Sequence, residues 1–197
     1  MNPLRSVTGT IVLGFVTAIV IALIMDVPTA QAKWSLAVWL HVFFGIIWIG
    51  LLYYFNFVQV PAVADAGADS DGPGPAAINK YVAPRALWWF RWGALLTWLT
   101  GAAVLEVAPP PMGFTEAFTL QQGAEVIGVG AWLGTIMLFN VWVLIWPNQK
   151  KILGLVEATP EQIARGKTVA LMASRTNTFL SIPLILCMVG QMHGFPL

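Results

Sequence analysis

Five stretches of about twenty apolar residues recur along this chain, and they limit its fold more than any other feature: about Val7 to Met25, Trp34 to Phe57, Ala86 to Val107, Gly123 to Trp146 and Thr176 to Phe195. A bilayer core of about 30 Å takes roughly 20 residues of helix, and within it only helices and closed barrels satisfy their own backbone groups. Of the 197 residues, 58% are hydrophobic and 10% charged, against about 25% charged in ordinary soluble domains. That is too little charge to cover a water-exposed surface and too much apolar content for a disordered chain. The expected fold is an all-α polytopic membrane bundle of about five transmembrane helices, forming a single domain over residues 1–197.

The connections are short: a Gly/Asp/Pro-rich loop around Asp65 to Asn79, a turn at Pro109 to Pro111 and a polar segment from Pro147 to Arg175. In the last of these, Thr159-Pro160-Glu161-Gln162 has the form of a capping box with proline at the first helical position, so a surface helix is expected to start there. Met1 to Arg5, the apolar run and Ala30-Gln31-Ala32 also have the pattern of a signal peptide. The run is long enough to span, and the expectation is a retained helix.

Alternating crossings put nine of the ten Lys and Arg on one side: Arg5, Lys80, Arg85, Arg91, Lys150, Lys151, Arg165, Lys167 and Arg175, with Lys33 alone opposite. Positive charge is retained in the cytoplasm. The N terminus is therefore expected inside and the C terminus outside, in a bacterial inner membrane. Trp34 and Trp39 then fall near the outer interface, and Trp88, Trp89, Trp92 and Trp146 near the inner one, as an aromatic belt.

A formal charge of +1 without a long basic block excludes nucleic acid as an expected partner. Cys187 is the single cysteine, so no internal disulfide forms, and the chain contains no CxxCH, CxxC, Walker loop or GxSxG. Chemistry must come from a few polar residues in lipid, where such residues are costly and tend to mark function. The two histidines, His41 and His193, both fall in the outer half, with depths that differ by roughly 5 to 8 Å at 1.5 Å per residue. Facing histidines on two helices suit a non-covalent b-type haem. Gly45 lies four residues after His41 and Gly190 three before His193, leaving room for a flat ring, and Trp48 shares the His41 face.

The bland reading of each histidine is a helix-helix hydrogen bond. Copper is the rival ligand, because Cys187, Met188, Met192 and His193 cluster on the last span and thioethers suit Cu(I). Glu125 is either a proton relay or an interfacial carboxylate, and Glu106 ends its span in the same way. Arg91 either snorkels or meets a charge partner within the bundle. Asn140 and Gln191 are expected to hydrogen-bond between helices, the alternative being a bond to a ligand.

The run Trp39-Leu40-His41-Val42-Phe43-Phe44-Gly45-Ile46-Ile47-Trp48-Ile49-Gly50 resembles the second span of PuuD-type urate hydroxylases, the urate oxidase N-terminal domain family. So do Ala86-Leu87-Trp88-Trp89-Phe90-Arg91-Trp92-Gly93, Met137-Leu138-Phe139-Asn140-Val141-Trp142 with Trp146-Pro147-Asn148-Gln149, and Ala173-Ser174-Arg175-Thr176-Asn177 with Ser181-Ile182-Pro183. A histidine followed seven residues later by Trp is more distantly similar to HemJ-type protoporphyrinogen oxidases and CopD copper-resistance proteins. That resemblance implies b-type haem with His41 at the ligand position. Members that act on urate carry a cytochrome c domain; with no CxxCH here, a separate electron donor or acceptor is implied.

The expected function is thus a membrane-embedded b-type haem protein that transfers electrons or oxidises a small substrate near the outer face, with His41 and His193 as axial ligands. The alternative is a non-catalytic accessory subunit of a larger membrane complex. A copper-handling or transport protein is a weaker reading, because broken-helix and charged-pathway signals are missing.

Overall fold

The computed structural model describes residues 2–25 and 29–194, which contain no β-strand. The helices are α1 (Val7–Ile24), α2 (Thr29–Tyr54), α3 (Val60–Ala68), α4 (Ala83–Glu106), α5 (Phe114–Phe118), α6 (Glu125–Phe139), α7 (Trp146–Ile152) and α8 (Pro160–His193). Three π-helical segments, Phe55–Gln59, Ile78–Val82 and Asn140–Ile145, run directly into α3, α4 and α7. The chain forms two units, Met1–Leu36 and Ala37–Leu197.

In the first unit, Ser6 caps α1 by accepting from the Gly9 N–H at 3.0 Å. α1 contains no buried residue within its unit and is apolar all round, long and apolar enough to cross a membrane.

The second unit holds the core, built from Trp48, Leu52 and Phe55, from Ala86, Leu87, Phe90 and Ala94 of α4, and from Met137, Val141, Ile145, Ala173 and Leu184. Small residues set the approaches. A Cβ on Gly93 would lie 3.2 Å from Ile47 Cγ2 and 3.4 Å from Trp48 N, and one on Gly130 would lie 3.1 Å from Cys187 Cβ. The pairings run antiparallel: His41 meets Thr97 while Phe55 meets Phe90, and Ile127 meets Gln191 while Asn140 meets Asn177.

Four helical runs are long and apolar enough to cross a membrane: Val7–Ile24, Gln31–Ala68, Glu125–Ile152 and Pro160–His193. α4, the third expected span, has 24 residues but stands outside that set, because Arg85, Arg91, Glu106 and four tryptophans dilute its apolar character. The second run extends well past the expected end at Phe57, since the alanine-rich Val60–Ala68 continues as helix. The fifth expected span and the expected surface helix are one helix of 34 residues, about 51 Å long. Its start is the capping box read from the sequence: Gln162 N–H donates to Thr159 Oγ1 at 3.3 Å and Thr159 N–H to Gln162 Oε1 at 3.0 Å. The expected end of that span at Phe195 lies outside the described residues.

Candidate functional site

The second unit contains a half-open cavity of about 580 Å³ between α2, α4, α6 and α8, with Phe118 of α5 also in its lining. That volume is in the range of cofactor and small-molecule sites, roughly 300–1,000 Å³. No charged side chain lines it, and five lining side chains carry a polar tip: His41, Trp48, Tyr53, Thr97 and Trp98.

Three of the five are committed to protein partners. Thr97 Oγ1 donates to Gly93 O at 2.7 Å, Trp98 Nε1 to Thr135 Oγ1 at 2.9 Å, and Tyr53 OH shares a 2.9 Å hydrogen bond with Ser181 Oγ. Trp48 is 2% exposed and its Nε1 is buried without an acceptor. His41 is tied at one nitrogen only, with Nδ1 2.8 Å from Thr97 O. A neutral imidazole that donates Nδ1–H to a carbonyl carries its lone pair on Nε2, and Nε2 has no protein partner among the described residues. A backbone carbonyl that fixes tautomer and ring orientation is the usual support of a metal-ligating histidine.

α4 also makes room for the ring. A Cβ on Gly101 would sit 2.9 Å from His41 Cε1 and 3.1 Å from Nδ1, whereas one on Gly45 would meet only Thr97 Cγ2 at an ordinary 3.8 Å. Thr97 and Gly101, which hold and admit the imidazole, were not among the residues singled out in the sequence. Their spacing of four on one helix face was the available signal, but it gains meaning only once α4 is known to face His41.

Of the sequence-derived site residues, His41, Gly45 and Trp48 line this cavity. Gly190 is buried on α8 and His193 is the exposed last residue of that helix; neither is in the lining. The helix register accounts for the difference. Gly130 of α6 packs against Cys187 and Met188, so His193 lies about 9 Å further along α8 than Cys187 at 1.5 Å per residue.

Met188 lines the cavity, while Cys187 is buried against Gly130. Among the described residues, no group of three His, Cys, Asp or Glu is close enough to hold a metal ion. Glu125 is exposed and accepts from Gly123 N–H at 2.6 Å, a local cap. Gln191 bridges helices, accepting from Ile127 N–H at 2.9 Å and donating to Gly123 O at 3.0 Å. Asn140 donates to Asn177 Oδ1 at 2.8 Å, and Asn177 to Met137 O at 3.0 Å. Arg91 meets an aromatic ring instead of a carboxylate: its Cζ lies 3.8 Å from the Trp146 ring centroid.

Residues 111–196 match the family model described as urate oxidase N-terminal. The match takes in α5 to α8, hence the α6 and α8 walls of the cavity, and stops short of α2 and α4, which carry His41, Thr97 and Gly101. No curated protein and no solved structure matches the chain significantly.

Proposed function

We propose that this chain is a multi-pass membrane protein with an oxidoreductase-like role, whose cavity takes a b-type haem held by His41. The observation that carries the reading is the His41 imidazole, fixed through Nδ1 by Thr97 O at 2.8 Å, with Nε2 left as the uncommitted lone pair among the lining of a cavity of about 580 Å³, the other uncommitted polar atom, Trp48 Nε1, being a donor only. The donor set fits the group: one neutral nitrogen ligand, an otherwise apolar wall, and Gly45 and Gly50 of α2, which leave room for a flat macrocycle. The similarity of residues 111–196 to the urate oxidase N-terminal family supports a redox role. A purine is a poorer fit, because its polar edges would be left unpaired against this lining.

Haem would supply one-electron chemistry. The chain's own part is to orient the imidazole through the Thr97 carbonyl, to admit its ring beside Gly101, and to keep water out with the apolar wall. A separate electron donor or acceptor completes the function. In this reading α4 crosses as a fifth span, the N terminus is cytoplasmic, and the host is a bacterial inner membrane.

The test is a reduced-minus-oxidised visible spectrum of the detergent-purified chain beside His41→Ala and His193→Ala. Haem bands in the parent, lost in His41→Ala and kept in His193→Ala, are expected from the lining. Loss in both variants would restore the two-histidine ligand set. A colourless parent that copurifies with other chains would overturn the haem reading in favour of an accessory subunit.

A further inference from the structure

Two cations converge on one indole at the end of the bundle opposite His41. Arg91 Cζ lies 3.8 Å from the Trp146 ring centroid and Lys150 Nζ 5.9 Å from the same centroid. Arg91 sits eight residues into α4, about 12 Å from its start at 1.5 Å per residue. Lys150 follows Trp146 by one turn on α7, two residues before that helix ends at Ile152.

Neither cation has a carboxylate partner among the described residues. α7 contains no acidic residue, and the one acidic residue of α4, Glu106, is at its far end. No ion pair or protein hydrogen bond engages either side chain among the described residues. A guanidinium brings five N–H donors and an ammonium three. The indole face satisfies part of the charge but accepts none of those hydrogen bonds in the way an oxyanion would. Two like charges on one ring, both half-buried, repel each other unless an anion lies near them.

The surroundings select the anion. Trp88 and Trp92 of α4, three residues before and one after Arg91, are exposed, and Trp92 meets Trp142 edge to face at 5.4 Å. Exposed tryptophans on a membrane helix sit at headgroup level, and here they border the cations with apolar surface that suits acyl chains. A soluble anion would use the charges and waste this surface.

We propose that Arg91 and Lys150, converging on the Trp146 ring, bind the phosphate of an anionic phospholipid. The inference rests on the membrane reading of the fold but not on haem. The charge-assisted bonds would go to the phosphate oxygens, and the chains would lie along Trp88, Trp92 and the exposed Val143.

The test follows thermal unfolding of the full chain in neutral detergent with added phosphatidylglycerol, phosphatidylcholine or inorganic phosphate. Phosphatidylglycerol alone is expected to raise Tm, by roughly 5 °C at saturating lipid. Arg91→Gln and Lys150→Gln should each lose most of that shift, and the double variant all of it. Arg91→Lys keeps a charge at the site and should retain part. Lys33→Gln, which changes charge at the face expected to lie opposite, and His41→Ala should keep the full shift, so a failure of the haem reading stays separate. An equal shift from inorganic phosphate, or one that survives in the double variant, overturns the proposal. Should Arg91→Gln not fold, Lys150→Gln and native mass spectrometry of lipid adducts on the parent give the same decision.

Discussion

His41 has its consequences set by two residues of α4. Its Nδ1 is 2.8 Å from Thr97 O, and its ring fills the space that a Cβ on Gly101 would occupy at 2.9 Å from Cε1. Both constraints come from one turn of α4, so the imidazole is held by a backbone carbonyl, whose position no side-chain substitution at Thr97 removes directly. Gly101→Ala should push the ring off its seat at a cost of about 1–3 kcal/mol, typical of an extra methyl in a filled core. Gly45→Ala, whose Cβ meets only an ordinary contact, should be close to neutral. Thermal unfolding of the two variants side by side checks this, and equal effects would show that Gly101 does not seat the ring. The buried Asn140–Asn177–Met137 chain works differently, tying the end of α6 and the π-helical turn after it to α8 through two amide donors, as buried polar groups require.

The π-helical segments have a common logic at the scale of the element. Each ends two residues before a proline, at Pro61, Pro84 and Pro147. In each, the residue just ahead of the proline donates its N–H five residues back: Val60 to Phe55 O, Ala83 to Ile78 O, and Trp146 to Val141 O. A proline inside an α-helix lacks the N–H that residue i−4 expects and crowds that carbonyl. A wide turn placed just before it lets the helix continue instead of ending. This is why Gln31–Ala68 and Glu125–Ile152 run on through prolines that would read as helix boundaries in a sequence. At the other kind of boundary, the start of α8, the reciprocal Thr159 and Gln162 bonds satisfy donors that the first turn leaves unpaired. Thr159→Ala should cost about 1 kcal/mol, seen as faster amide hydrogen exchange in the first turn of α8 with the rest of the helix unchanged. Unaltered exchange there would mean that packing, not the cap, holds the first turn.

For the whole molecule, the distribution of charge predicts an orientation that the folded chain can be asked to report. Cysteines placed at Lys33 and at Lys151 should behave oppositely towards a membrane-impermeant maleimide in intact cells, the first labelled at once and the second only after permeabilisation. The native Cys187 is buried and adds little background. The reverse pattern would invert the topology. The sequence by itself marked the long apolar helices and the start of α8, because apolar run length and Thr159-Pro160-Glu161-Gln162 act locally along the chain, but it did not fix where the helices running through prolines end. It also singled out His41, since an imidazole amid apolar residues is conspicuous without any neighbour. What it could not supply was register. Whether His193 reaches the His41 cavity depends on how far α8 slides along α6, and the close approach of Gly130 to Cys187 puts His193 beyond the lining. Thr97, Gly101 and the Arg91–Trp146–Lys150 cluster share that dependence. Their meaning lies in distances between helices, which side-chain packing decides and which no single helix encodes.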